Sequence, residues 1–404
     1  METLFDRKIN FQGVGLKKVG QMKHIVRQLY FNGPMSNAEL SRNLNLSTPK
    51  INSLLRDLIG QKLVMELGQG YSSGGRRPVI YGLIKDSFYV VGITVNIYFS
   101  IISVFNAHNQ EITGPHTVPV SMQKDFNIFS RIHHCLQEIM EKVNIPAEKV
   151  IAAGIELPGL VDREKYINKT YFPEIENLHH KIGDIFGIPV FIDNDARMRT
   201  FAEQQFGLAK GKQNVLMVHM DWGVGLGLIL NGQLYTGKSG FSGEFGHIPL
   251  SENGMLCQCG KLGCLETLAS ATAITLQARE GIEKGNSSLL PALVNNELEK
   301  IETNTVIQAA CLGDQFSISL LSNVGFWLGK GIAHLIQIFN PELIIVGGKL
   351  AEASQFILAP IRQAIYTYSN QDISNDTEIM FSVLGVKAGT IGAAAFAVEK
   401  LSGS

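Results

Sequence analysis

A chain of 404 residues with 45% hydrophobic and 18% charged side chains has ample material for a core and suits two or three folded units at about 150 residues each. Disorder of the whole chain is excluded, no apolar run approaches the roughly 20 residues of a membrane helix, and the polar start Met1–Leu16 does not read as a secretory leader. The expectation is a cytoplasmic protein without membrane insertion. The net charge of −1 conceals an asymmetry: residues 1–85 hold 13 lysines and arginines against 5 aspartates and glutamates, an excess of eight, while the remainder is acidic by nine. A basic head on an acidic body suits a polyanionic partner.

In chain order, Val19, Met22, Ile25, Val26, Leu29 and Tyr30 recur at helical spacing over 16–31, and Asn32-Gly33-Pro34 stops that helix. Ser36 opens a second helix with Glu39 three residues on, the pattern of a capping box, and Leu40 and Leu44 give it an apolar face. Thr48-Pro49 opens a third, running to Gln61 around Ile51, Leu54, Leu55 and Leu58. Two apolar segments, Leu63–Leu67 and Val79–Ile84, flank a Gly/Ser/Arg loop and read as a hairpin. Three helices and such a hairpin predict a winged helix-turn-helix over 1–85. Opposite its apolar stripe the third helix presents Ser47, Thr48, Lys50, Asn52, Ser53 and Arg56, groups that suit base edges and phosphates in a major groove. Arg76 and Arg77 sit in the wing, where they suit either a narrow minor groove or the phosphates alone.

Beyond Ser87 the pattern becomes α/β. Phe88–Thr94 and Phe99–Phe105 read as paired strands, 126–143 as a helix, Val150–Glu156 as a buried strand, and Val190–Ile192 as a short strand leading through Asp193-Asn194-Asp195 into a helix from Ala196. Val215–Met220 and Gly225–Leu230 read as a second strand pair, Ser270–Gly281 and Ile318–Phe339 as helices, and Leu343–Val346 as a buried parallel strand ending at Gly347-Gly348. This arrangement implies an α/β protein with two lobes.

Three of the five cysteines crowd into Cys257-x-Cys259-x4-Cys264, ten residues after His247. One imidazole and three thiolates complete a closed tetrahedral shell, the pattern of a structural Zn²⁺ site. Cys135 and Cys311 read as core residues.

Gly243-Glu244-Phe245-Gly246-His247, followed by Cys257-Gln-Cys259-Gly-Lys-Leu-Gly-Cys264-Leu-Glu266, resembles the signature of the ROK family of repressors and sugar kinases. Leu157-Pro158-Gly159-Leu160-Val161-Asp162, Asp193-Asn194-Asp195-Ala196 and Asp221-Trp222-Gly223-Val224-Gly225-Leu226-Gly227 agree, and the N-terminal module is similar to the family's repressor branch. The resemblance implies a two-lobed, actin-like (ribonuclease H-like) sugar-kinase fold behind the winged helix, with a first lobe at 86–195 to which a helix at 386–404 returns, and a second at 196–385 that holds the zinc site and an oligomerisation surface. It also implies a carbohydrate read by Gly159, Asn194, Asp195, Glu244, His247 and Glu266, with Asp195 in the place of the kinases' base. His247 would serve metal with one nitrogen and sugar with the other.

One departure is informative. Family kinases open with an Asp-x-Gly-Gly-Thr loop that approaches ATP phosphates; this chain reads Gly92-Ile93-Thr94-Val95-Asn96-Ile97, without the carboxylate or the glycine pair. The expectation is therefore a sugar-responsive transcriptional repressor in which Asp195 is a vestigial base. Its partners would be operator DNA, a sugar or sugar phosphate, a second or further copy of itself as homodimer or tetramer, and in one reading a sugar-transport protein. An active sugar kinase is the alternative.

Overall fold

The computed structural model describes residues 4–5, 14–70, 77–122 and 125–403. Helix α1 (Val14–Asn32) buries Met22, Ile25, Val26, Leu29, Tyr30 and Phe31. Strand β1 (Met35–Ser36) precedes α2 (Asn37–Leu44), and the capping box forms as the sequence predicts: Ser36 accepts from the Glu39 amide while the Glu39 carboxylate accepts from the Ser36 amide at 2.7 Å. Helix α3 (Thr48–Gly60) has Pro in its first turn and buries Ile51, Leu54, Leu55 and Leu58. Strands β2 (Val64–Gln69) and β3 (Val79–Leu83) pair antiparallel, and β1 adds a third strand to β3 that periodicity over two residues does not reveal.

The chain forms two compact units, Met1–Ala202 with Gly389–Ser404, and Glu203–Ala388. The first unit adds β4 (Tyr89–Val95), β5 (Phe99–Asn106), β6 (His116–Pro119), α4 (Ile128–Lys142), β7 (Val150–Leu157), the small pair β8 (Val161–Asp162) and β9 (Ile167–Asn168), α5 (Leu178–Phe186), β10 (Val190–Asn194) and the start of α6 (Asp195–Phe206). Its sheet runs β10-β7-β4-β5-β6. The β4–β5 pair is antiparallel, as the paired-strand reading predicts, and β7 lies parallel to both β4 and β10. Strand β10 extends to Asn194, two residues beyond the predicted end, because Asp193 and Asn194 stay in register with Glu156 and Leu157.

The second unit holds β11 (Val215–Met220), β12 (Val224–Leu230), β13 (Gln233–Tyr235), α7 (Leu265–Ala269), α8 (Ala271–Glu283), α9 (Leu290–Leu293), α10 (Thr303–Cys311), α11 (Gln315–Phe339), β14 (Leu343–Gly347), α12 (Ser354–Tyr368), α13 (Gln371–Ser374) and β15 (Glu378–Phe381). Its sheet runs β13-β12-β11-β14-β15, with fully buried β14 parallel to both neighbours. Helix α11 carries Leu321, Val324, Leu328, Ile332 and Ile336 into the core under that sheet. Cys135 is half-buried against the first unit's core, but Cys311 is exposed, correcting its reading as a core residue: it ends α10, where the chain turns at Leu312-Gly313 towards solvent.

The division at Ala202/Glu203 falls within α6, which begins at Asp195. The closing helix α14 (Ala388–Gly403) packs on the first unit's sheet through glycines. A Cβ on Gly154 of β7 would lie 1.8 Å from the Ala393 carbonyl oxygen, and one on Gly92 of β4 would lie 2.0 Å from that of Thr390. Gly392 meets α6 in the same way, 2.2 Å from the Met198 carbonyl oxygen. No helix among the described residues is long and apolar enough to cross a membrane. Gly154→Ala is expected to destabilise the protein by about 3 kcal/mol or more, since backbone opposes the added methyl; a lowered melting temperature in differential scanning fluorimetry checks it.

Candidate functional site

On the N-terminal module, Ser47, Thr48, Lys50 and Arg56 are exposed, whereas Asn52 and Ser53 are half-buried. The Asn52 side-chain oxygen accepts from the Asn37 amide at 3.1 Å, so what Asn52 offers outward is its donor, and Arg56 leans back to the Asn52 carbonyl at 3.4 Å. Arg77 is exposed; Arg76 lies outside the described residues. Exposed Arg42, on the polar side of α2, is a further cation that a search confined to the third helix misses. Two of the module's positive charges are spent internally: Lys18 pairs with Asp57 of α3 at 2.7 Å, and Arg27 pairs with Glu399.

In the first unit, Gly159, Asn194 and Asp195 come together where β10 runs into α6. The Asn194 amide donates to the Gly159 carbonyl at 3.1 Å and to Asp195 Oδ1 at 2.8 Å, and the Ala196 amide also donates to Oδ1 at 2.8 Å. Both bonds fall on one carboxylate oxygen, Oδ1. Gly159 has φ +81°, and a Cβ there would lie 2.6 Å from Thr170 Oγ1, so the turn requires glycine. Behind the pair, Asp193 is fully buried, held by Arg197 Nε at 2.7 Å and faced by Arg163 at 3.5 Å. The Asp193–Arg197 pair has the i,i+4 spacing that sequence reading could have found, whereas Arg163 stands 30 residues away.

In the second unit, Glu244 and His247 lie in the loop 243–247, and Glu266 lies in the first turn of α7. Cβ atoms on Gly243 and Gly246 would lie 1.9 Å from the Leu226 carbonyl oxygen and 2.3 Å from that of Val224, so the loop rests directly on β12. Glu266 accepts from the Val224 amide at 3.3 Å and, through its other oxygen, from the Gln258 side chain at 3.2 Å. His247 Nε2 faces Glu244 at 3.9 Å, while its Nδ1 faces Cys257 Sγ at 3.5 Å.

The donor atoms of His247, Cys257, Cys259 and Cys264 all lie within 4.8 Å of one another, and Cys259 Sγ to Cys264 Sγ is 3.6 Å. Zinc bonds of about 2.3 Å to sulfur and 2.0–2.1 Å to nitrogen at tetrahedral angles imply ligand separations of about 3.5–3.8 Å, so the four fit one metal ion. Burial pushes Cys264 up to about 12 and raises Cys257, whereas the Lys261 amide beside Cys259 draws that thiol down to about 7. A buried thiol that resists ionisation alone becomes a ligand when a dication offsets the charge. Gly260 and Gly263, at φ +83° and +66°, make the turns between the sulfurs.

A family model described as the ROK family matches residues 106–400. Among curated proteins, the xylose repressor of Bacillus spizizenii is 32% identical over 395 residues, covering 95% of this chain and 96% of that protein. The glucokinase of Thermotoga maritima is 33% identical over 281 residues, covering 69% of this chain and 87% of its own. Among solved structures, a ROK family transcriptional regulator described as a homologue of the Escherichia coli MLC protein superposes with a TM-score of 0.76 at 27% identity, over 96% of this chain and 97% of that one.

Removing Arg197 takes from the buried Asp193 carboxylate, immediately beside Asn194, the nearer of the two guanidinium groups that face it. Arg197→Ala is expected to cost about 3 kcal/mol, read as a lower midpoint in urea denaturation.

Proposed function

The chain belongs to the ROK family, and from that membership we propose that it is a sugar-responsive transcriptional repressor: a winged helix binds operator DNA, and a carbohydrate bound by the body releases it. The observation that carries this reading is the difference in coverage. The xylose repressor aligns end to end, N-terminal module included, whereas the glucokinase leaves nearly a third of this chain unmatched while using most of its own length. In that module, Ser47, Thr48, Lys50 and Arg56 are the groups α3 would lay in the major groove, with Arg77 and Arg76 in the wing. As a homodimer or tetramer the protein would match two operator half-sites by its own symmetry. Control by a sugar-transport protein is the variant in which the effector is a partner.

The hydroxyl-reading set is Gly159, Asn194, Asp195, Glu244, His247 and Glu266. Carboxylates accept strongly from vicinal hydroxyls, and Asp195 would act here as an acceptor. Three features support a body without phosphoryl transfer. The turn after β4, where kinases cradle phosphates, spends its amides internally: Asn96 Oδ1 accepts from the amides of Tyr98 and Phe99 at 2.9 and 2.8 Å. Beside it, Glu156 is fully buried in β7 and paired with Arg199 at 2.7 Å. In the second glycine loop, Asp221 brings negative charge and the Trp222 ring lies under the Lys349 ammonium at 4.5 Å.

His247, Cys257, Cys259 and Cys264 would hold one Zn²⁺. The ion supplies fold energy through a closed shell, with no open position for chemistry. With Nδ1 directed to the metal cluster, His247 has Nε2 left to meet Glu244 or a ligand.

The test is fluorescence anisotropy of the full-length protein on DNA from its own promoter region, with D-xylose, D-glucose, N-acetylglucosamine and their phosphates as effectors. Binding should weaken steeply with salt, Arg56→Ala should cost about tenfold in affinity, and Asp195→Ala should abolish release while leaving DNA affinity unchanged. No salt-dependent binding, or sugar-dependent ATP turnover at about 1–100 per second, overturns the reading. Elemental analysis should find about one zinc per chain, and Cys264→Ser should lose it together with thermal stability.

A further inference from the structure

Residues 372 positions apart meet where α1 crosses α14: Arg27 donates through Nε to Glu399 Oε2 at 2.5 Å and through Nη2 to Oε1 at 3.0 Å. The guanidinium also lies 5.8 Å over the Phe31 ring. Below it, three almost fully buried rings continue the contact edge to face, Phe31 on Phe201 of α6 at 6.0 Å and Phe201 on Phe396 of α14 at 6.2 Å. At its other end α6 begins with Asp195, next to Asn194 at the end of β10, and α14 touches α6 at Gly392 without an intervening side chain. On the DNA side, α1 is tied to α3 by Lys18 and Asp57. Next to Glu399, Lys400 has its ammonium pushed below the usual range by burial and by Arg163, with Asp193 and Glu399 opposing. Packing thus runs from α6, which begins at Asp195, through α14 to α1, the helix that Lys18 ties to α3.

We propose that Arg27 and Glu399 are positioning residues that hold the reading helix in operator register on the C-terminal helix, and that a ligand at Asn194–Asp195 acts on the DNA through this contact. The proposal rests on the reading of the chain as an effector-responsive DNA-binding protein. Both side chains are about a third exposed, at 32% and 31%, so the pair adds little to overall stability. A two-point guanidinium–carboxylate contact, however, fixes direction as well as distance. Its loss should therefore be felt in orientation: binding to two half-sites of fixed spacing suffers, whereas phosphate attraction in each head does not.

The experiment uses the full-length protein, a labelled duplex from the promoter region of its own gene, and a scrambled duplex of equal length. Arg27→Gln and Glu399→Gln should each weaken promoter binding about tenfold, within the range of ordinary site-to-site coupling. They should leave scrambled-duplex binding and the melting temperature unchanged. The sugar that releases the wild type, among D-xylose, D-glucose and N-acetylglucosamine, should lose most of its effect. The exchanged pair Arg27→Glu with Glu399→Arg should restore both properties. Folded single variants with wild-type promoter affinity, or an exchanged pair no better than either single charge reversal, overturn the proposal. Failure of the wild type to bind either duplex sinks the DNA-binding reading itself, and the affinity comparison decides the positioning role without any sugar.

Discussion

A helix can lie directly on a β-sheet only where neither surface projects a side chain at the crossing, and the first unit is built around one such crossing. Gly92 and Gly154 open the sheet, and Gly389 and Gly392 open α14; a methyl at any of the four would meet backbone or a buried polar side chain within 2.6 Å. The seat is stiff because it joins backbone to backbone, and protein interiors do not yield continuously. It brings α14 against α6, whose first residue is Asp195, and it fixes the far end of α14, which carries Glu399. The candidate ligand pair and the junction with the N-terminal module are both located by this one close approach.

Charge is placed with the same economy. The interior of the first unit holds Glu156 with Arg199 and Asp193 with Arg197, buried carboxylates each answered by a guanidinium. Leaving one such carboxylate without its cation would cost several kcal/mol, so these pairs constrain which residues neighbouring positions accept. The pair at Glu156 stands beside the end of β4, where Thr94 is its register partner. The pair at Asp193 stands behind Asn194. In the second unit the comparable concentration is of sulfur, with one imidazole, at a spacing that could hold a cation.

What the sequence made legible follows from range. The Ser36–Glu39 box, the Thr48-Pro49 helix start and the stripe Ile51, Leu54, Leu55, Leu58 depend on neighbours within four residues, and the structure has them as read. The metal cluster spans 247–264 and was legible because its loop glycines and ligands lie in one short stretch. Arg27 with Glu399, Glu156 with Arg199 and the Phe31–Phe201–Phe396 ladder were not, since each partner is unremarkable alone and gains meaning only after the chain has folded. Asn52 illustrates an intermediate case: its place on α3 was readable, but Asn37 claiming its oxygen was not. Strands β1, β6, β13 and β15, of two to four residues, are too short for periodicity to register.

The return of α14 has a consequence for how the protein comes into being. The N-terminal module and β4–β10 leave the ribosome early, but the helix that caps their sheet follows only after the whole of Glu203–Ala388 has been made. At about 5–20 residues per second that interval is on the order of 10–40 s. During it, β4 and β7 lack the cover that Thr390 and Ala393 later provide over Gly92 and Gly154, and Arg27 lacks its carboxylate. A nascent chain therefore carries its basic head before it carries the contact that orients it, and completion of the last helix is the step that turns a tethered cation into a directed one.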